Sequence, residues 1–151
     1  MDTTIDTVLV AVGADPDEEL GKVIEATVQL AVPTGARVVL AHVFTPDEFE
    51  SAAERLEYPD ATVEDVDAVL RRHRQVRDFG DALTEHDVRF DVRGAVGDVT
   101  DELVAMASEL GAERVIVAGH RRSPTGKAVF GSLSQELLLE APCPVTYVKS
   151  N

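Results

Sequence analysis

Cysteine is almost absent from the chain, since Cys143 stands alone. No internal disulfide can form, and no thiol or imidazole cluster around it has metal-ligand spacing. Between Pro142 and Pro144 it reads as a small apolar filler. Lysine is scarce too, with 3 against 11 arginines, whereas 28 side chains are acidic and the net charge is −14. Repulsion therefore opposes nonspecific binding to nucleic acid or anionic membranes. No run approaches the roughly 20 apolar residues of a membrane span. The opening MDTTIDTVLV lacks the basic region and cleavage site of a signal peptide, so a cytoplasmic location is expected. No Ser, His and Asp set has a recognisable nucleophile elbow, so no catalytic residue is assigned.

What is present is a well-filled globular composition. With 151 residues, 44% of them hydrophobic, the chain suits one core and is short for two, which predicts a single domain over 1–151. The acids are scattered between strong apolar runs, a pattern that argues against disorder.

The apolar runs alternate in period. Residues 5–13 (IDTVLVAVG) read as a strand ending in glycine, and the polar turn ADPDEE leads into a helix. Leu20, Val23, Ile24, Thr27, Val28 and Ala31 share its inner face, and Pro33 with Gly35 stops it. Arg37 to Phe44 (RVVLAHVF) is continuous and β-branched, as expected of a strand buried on both faces. Thr45 to Ala61 holds two prolines and many acids without a sustained period, and reads as a mobile or partly helical connection. One long helix is predicted from about Val63 to His86, with Val66, Leu70, His73 and Leu83 inward. A strand at Val88 to Arg93 follows, then a helix capped by Asp98 and ended by Gly111. Arg114 to Ala118, a helix from Leu133 to Glu140, and a last strand from Pro144 complete the series.

Strands alternating with helices predict an α/β fold, a five-stranded parallel sheet with helices on both faces. Ligands of such sheets bind outside the strand C-terminal ends, where the strand order reverses. The predicted ends are Val12-Gly13, His42-Val43, Gly94 and Gly119.

The stretch GHRRSPTGKAVFGS, Gly119 to Ser132, joins a buried strand to an apolar helix at one of those ends. Glycine lets main chain approach an anion, a helix start offers N–H groups, and Arg121, Arg122 and Lys127 add positive charge. It is no P-loop, because six residues separate Gly119 from Gly126-Lys127 and Ala128 follows the lysine. The turn after the first strand, Gly13-Ala-Asp-Pro16, also lacks the dinucleotide fingerprint.

In order and spacing, VLVAVG, LAHV, VRGAVGD, ERVIVAGH, the GS before the last helix and PCPVTYVK resemble the universal stress protein family over nearly the whole chain. The resemblance implies a Rossmann-like, adenine-nucleotide-binding fold with sheet order 3-2-1-4-5 and a homodimer through the C-terminal strand, 144–149. ATP-binding members carry Gly, two residues, Gly, nine residues, then Gly and Ser or Thr. Gly119 and Gly131-Ser132 match the ends of that pattern. Arg122 replaces its second glycine, and eight residues rather than nine precede Gly131. Gly13 stands where the family has an aspartate, with Asp15 two residues on, and Val43 matches a position whose backbone meets adenine. An arginine side chain there opposes close approach of backbone to phosphate. Arg121, Arg122 and Lys127, with N–H groups of Ser123, Thr125 and Gly126, offer a replacement.

The candidate ATP- or AMP-contacting residues are accordingly Ala11, Val12, Gly13, Asp15, Val43, Ala118, Gly119, Arg121, Arg122, Ser123, Gly126, Lys127, Gly131, Ser132 and Leu133. Asp15 and Asp98 are placed to help hold magnesium brought by ATP. His120 reads as an exposed polar residue and His42 as a structural histidine needing a partner. With no general base or activated nucleophile in the loop, little fast chemistry is expected. Three functions fit: a dimeric nucleotide-binding stress regulator, a nucleotide-free interaction module of the same fold, and a slow magnesium-dependent ATPase. The acidic, lysine-poor composition further suits a salt-accumulating, halophilic archaeal cell, where salt screens self-repulsion.

Overall fold

Five parallel strands set the frame: β1 (Thr7–Ala11), β2 (Arg37–Phe44), β3 (Phe90–Val96), β4 (Arg114–Ala118) and β5 (Val145–Val148), in the spatial order β3-β2-β1-β4-β5. The computed structural model describes residues 4–13, 17–56, 61–119 and 132–149. The expected order 3-2-1-4-5 is thus observed. The helices are α1 (Asp17–Thr34), α2 (Pro46–Arg55), α3 (Val66–Arg71), α4 (Arg74–Glu85), α5 (Val99–Leu110) and α6 (Ser132–Glu140), with a 3₁₀ turn at Val63–Asp65. No helix among the described residues is long and apolar enough to cross a membrane.

Side chains alternate across the strands, so each central strand feeds two cores. Val8, Val10, Val38 and Leu40 pack with α1 to α4 through Leu20, Val23, Phe49, Leu70, Phe79 and Leu83. Leu9, Val39, Ala41, Val115 and Val117 pack on the other face against Leu103, Met106 and Ala107 of α5 and Leu137 of α6. Each such fully buried Val, Leu, Phe or Met side chain stabilises the fold by about 1.5–3 kcal/mol.

One of the alternatives for the 45–61 connection, a partly helical segment, is observed, and one expectation needs correction. The connection after β2 contains a regular helix: Thr45 accepts from the Glu48 N–H while the Glu48 carboxylate reaches back to the Thr45 N–H, and Pro46 opens the first turn. This reciprocal cap, with proline where no N–H is needed, starts α2 despite its polar composition. The long helix predicted over 63–86 is broken at Arg72 and His73. His73 takes an extended conformation (φ −68°, ψ 130°), and its Nδ1 accepts from the Gln75 N–H, so it caps α4 instead of lying on an inner helical face.

The break lets one segment serve two surfaces. α4 lies on the sheet face against α1, while α3 sits on β3. Asp67 Oδ1 accepts the Gly94 N–H at 2.6 Å, and a Cβ on Gly94 would meet Val66 Cγ2 at 2.9 Å. Helix and strand backbone touch because residue 94 has no side chain. β3 also begins and ends later than its apolar run suggested, with Gly94, Ala95 and Val96 continuing the ladder beside His42, Val43 and Phe44. Asp98 caps α5 by accepting the Asp101 N–H, and Gly111 (φ 63°) closes the helix, as the sequence indicated.

Candidate functional site

β1 is the switch point, with β2 on one side and β4 on the other. Beyond its last residue, Ala11, the chain remains tied to β2, since the Val12 N–H donates to Ala41 O at 2.7 Å. The Val12 carbonyl accepts from His42 Nδ1 at 2.5 Å. A carbonyl can only accept, so Nδ1 carries a proton, and in the tautomer this bond selects Nε2 is the acceptor. The expectation of a partnered structural histidine holds at His42. The strand end is thereby braced by a side chain as well as by the ladder.

Beside this brace lies a cavity of about 490 Å³. Its walls come from the strand ends (Val12, Gly13, His42, Phe44), from α2 (Asp47, Glu48, Ser51, Ala52, Arg55), and from Leu70, His73 and Val76. The His42 and Phe44 rings meet edge to face with centroids 4.5 Å apart, which fixes the imidazole against an aromatic wall. His73 shares the cavity, and its Nδ1 is occupied as an acceptor. Burial, then the neighbouring charges of His42, Arg55 and Arg74, hold its pKa below the ordinary 6.5. The uncharged His73 ring therefore presents an Nε2–H donor, complementary to the His42 acceptor. Apolar walls, two imidazoles, the Ser51 hydroxyl, the Arg55 guanidinium and the Asp47 and Glu48 carboxylates form a set suited to a small ligand with an apolar body and polar edges.

The second part of the rim is the end of β4. Gly119 is buried and donates its N–H to Val148 O at 2.7 Å. Ser134, buried in α6, places its hydroxyl 3.5 Å from Ala118 O, tying the start of that helix to the same strand end.

Of the sequence-derived candidates, Ala11, Val12, Gly13, Ala118 and Gly119 lie at the ends of β1 and β4, and Ser132 opens α6. Val12 and Gly13 line the cavity. Leu133 packs toward the α5 side of the core, and the Val43 side chain is buried there too, leaving only its main chain at the β2 end. Asp15, His120, Arg121, Arg122, Ser123, Thr125, Gly126, Lys127 and Gly131 lie outside the described residues. Asp98 is engaged as the α5 cap, and the described residues hold no group of three His, Cys, Asp or Glu able to bind a metal.

Sequence reasoning missed the α2 wall and His73. The signal for α2 was the Thr45-Pro46-Asp47-Glu48 capping pattern, and Glu48, Ser51, Ala52 and Arg55 follow at helical spacing. Nothing local marks His73 as a cavity residue, because it reaches the site through a helix break.

Comparison with known proteins gives a consistent picture. Residues 4–149 match the family model described as the universal stress protein family. A universal stress protein of Mycolicibacterium smegmatis is 40% identical over 85 residues, which span 56% of this chain and 65% of that protein. Two solved structures share the fold. The Archaeoglobus fulgidus universal stress protein in complex with dAMP has a TM-score of 0.66 at 17% identity, covering 95% of this chain and 98% of its own. A universal stress protein family member from Arabidopsis thaliana with AMP bound has a TM-score of 0.65 at 19% identity, covering 97% and 92%.

Proposed function

The chain belongs to the universal stress protein family, and from that premise we propose that it binds an adenine nucleotide across the ends of β1, β2 and β4 and acts as a homodimeric regulator in the cytoplasm. The observation that carries this reading is the cavity of about 490 Å³ beside Val12 and Gly13, of a size and polarity suited to a purine base. The acceptor at His42 Nε2 and the donor at His73 Nε2 complement the amino and ring-nitrogen edge of adenine. Gly119, with no room for a side chain, marks the strand end where phosphate would approach. The dAMP- and AMP-bound relatives of the same fold support the ligand class.

The role proposed is sensing or buffering nucleotide. The homodimer is supported by the unequal sheet edges. α3 packs on β3 and takes up the Gly94 N–H, whereas β5 is half-exposed along its four residues. An open strand edge calls for a cover, and a symmetry mate supplies one. The acidic composition suits a salt-rich medium.

Calorimetric titration with ATP in concentrated potassium chloride, with and without magnesium, tests the reading. Saturable heat is expected, lost in Ser51→Trp, which fills the cavity from an exposed helix position, and in Gly131→Leu. Absence of heat at millimolar ATP in the unmodified protein would leave the nucleotide-free interaction module as the function.

A further inference from the structure

A second cavity, of about 570 Å³, opens between α4 and β3. Its floor is apolar. Phe90 and Val92, two apart on β3, project to one face of the sheet, and Val76 of α4 packs in the same core. Gly80 follows one turn after Val76 and keeps the helix close to the strand, since a Cβ there would lie 2.6 Å from Phe90 Cζ. Val76 and Val92 are buried, whereas Phe90 is only half-buried.

Charge stands around this floor. Arg71 ends α3 and Arg77 lies early in α4. Neither has an acidic partner among the described residues, although the chain carries 28 acidic against 14 basic side chains. In one continuous helix, positions six apart would point about 120° away from each other. The break at Arg72 and His73 is what brings both guanidiniums to one cavity. Two carboxylates line it as well. Asp78 pairs with Arg74 at 3.3 Å, so its charge is already balanced, and Asp81 is left open among the described residues. Two guanidiniums against one open carboxylate give the cavity a surplus of positive charge in a protein of net charge −14.

Such a cavity selects a ligand by both of its ends. The floor gains from an apolar body through the area removed from water, and a guanidinium meets a carboxylate with charge-assisted N–H bonds. A bare inorganic anion would leave the floor wet, a neutral hydrocarbon would leave the arginines without a partner, and Asp81 opposes a second negative charge. We infer that the cavity between α4 and β3 is a second ligand site, for a small monocarboxylate with an aromatic or aliphatic body, its carboxylate held by Arg71 and Arg77 and its body laid on Phe90, Val76 and Val92. The site shares Val76 with the cavity at the strand ends and differs from it in every other described wall residue. It does not depend on the nucleotide reading.

The probe is 2-naphthoate, whose own emission can be followed because the chain contains no tryptophan. Its fluorescence anisotropy should rise to saturation on titration with the protein. Affinity for 2-naphthylmethanol, which has the same body without the charge, and for naphthalene-2,6-dicarboxylate, which adds a second charge, should be about tenfold lower or weaker still. Arg71→Gln and Arg77→Gln should each weaken naphthoate by about tenfold, from loss of a hydrogen bond between charged groups. Arg114→Gln, the same change of net charge on β4, should leave it unchanged, and all three variants should melt with the unmodified protein. In amide NMR spectra the Gly80 and Phe90 signals should move with naphthoate and that of Gly13 should stay. No saturable binding at millimolar naphthoate, equal affinity for the methanol, or an equal loss in Arg114→Gln would overturn the assignment. Movement of Gly13 with Gly80 and Phe90 unmoved would put the probe in the other cavity and overturn it too.

Discussion

The imidazole of His42 donates from Nδ1 to the main-chain carbonyl of Val12, 2.5 Å away on the neighbouring strand. The bond ties the C-terminal end of β2 to the residue that follows β1, and it holds the ring in place at the cavity wall. Replacing His42 by Ala should cost about 1–3 kcal/mol in urea denaturation, from an unpartnered carbonyl and a lost ring contact with Phe44. His42→Gln, with an amide donor, should recover part of the stability.

His73 makes the start of α4 sensitive to acid. Its folded pKa lies below the ordinary 6.5, chiefly through burial, so the unfolded chain takes up the proton first. Its contribution to stability is therefore complete above about pH 6.5 and falls as the pH drops from there through the lowered folded value. Protonation also removes the acceptor for the Gln75 N–H. Urea midpoints between pH 7.5 and pH 5 should fall less in His73→Asn, which caps without titrating. Parallel curves for the two proteins would refute the effect.

Gly119 and Tyr147 should be coupled in folding. Gly119→Ala drives a methyl into the phenol and should cost about 1–3 kcal/mol by overpacking. In a Tyr147→Ala background most of that penalty should vanish. A double-mutant cycle by denaturation measures the coupling, expected at roughly 1 kcal/mol or more.

Asp67 holds α3 on the edge of β3 through the Gly94 N–H. Asp67→Ala should destabilise by about 1–3 kcal/mol, and Asp67→Asn, which keeps an acceptor oxygen, by much less. Light scattering on warming should rise in the alanine variant, because the strand edge loses its cover.

Pairing along β5 can be blocked without touching the sheet. The Pro144 and Val148 carbonyls accept from Val115 and Gly119 of β4, so the alternate residue Val145 points its main-chain groups away from β4. Val145→Pro removes that outward N–H. Sedimentation in high salt should show a dimer for the unmodified protein and a monomer for the variant, with melting temperatures close together. A monomer in both would refute the dimer.

The architecture was legible because β2 and β4 are uninterrupted β-branched runs, found at the predicted residues, and because Asp98 and Gly111 bracket α5 with a cap and a left-handed stop. The less legible parts share a cause. α2 is held by its capping box and by the small buried Ala52 and Ala53, which give only a weak periodic signal. The break at His73 was hidden because apolar spacing runs on from Val66 and Leu70 to Val76 and Leu83. Only the imidazole capping the Gln75 N–H marks the interruption. Half of the cavity wall comes from these two elements, so the strand-end residues of the site were readable and its helical side was not.

The arrangement of α3 on β3 also sets a limit on assembly. A sheet with both edges bare can add neighbours indefinitely, as fibres do, whereas here Asp67 of α3 takes up a main-chain N–H of β3, at Gly94. In the proposed homodimer, with β5 as the meeting edge, the joined sheet would end at both extremities in β3 with α3 upon it. Further growth would then be opposed by one carboxylate and one glycine far from the contact itself.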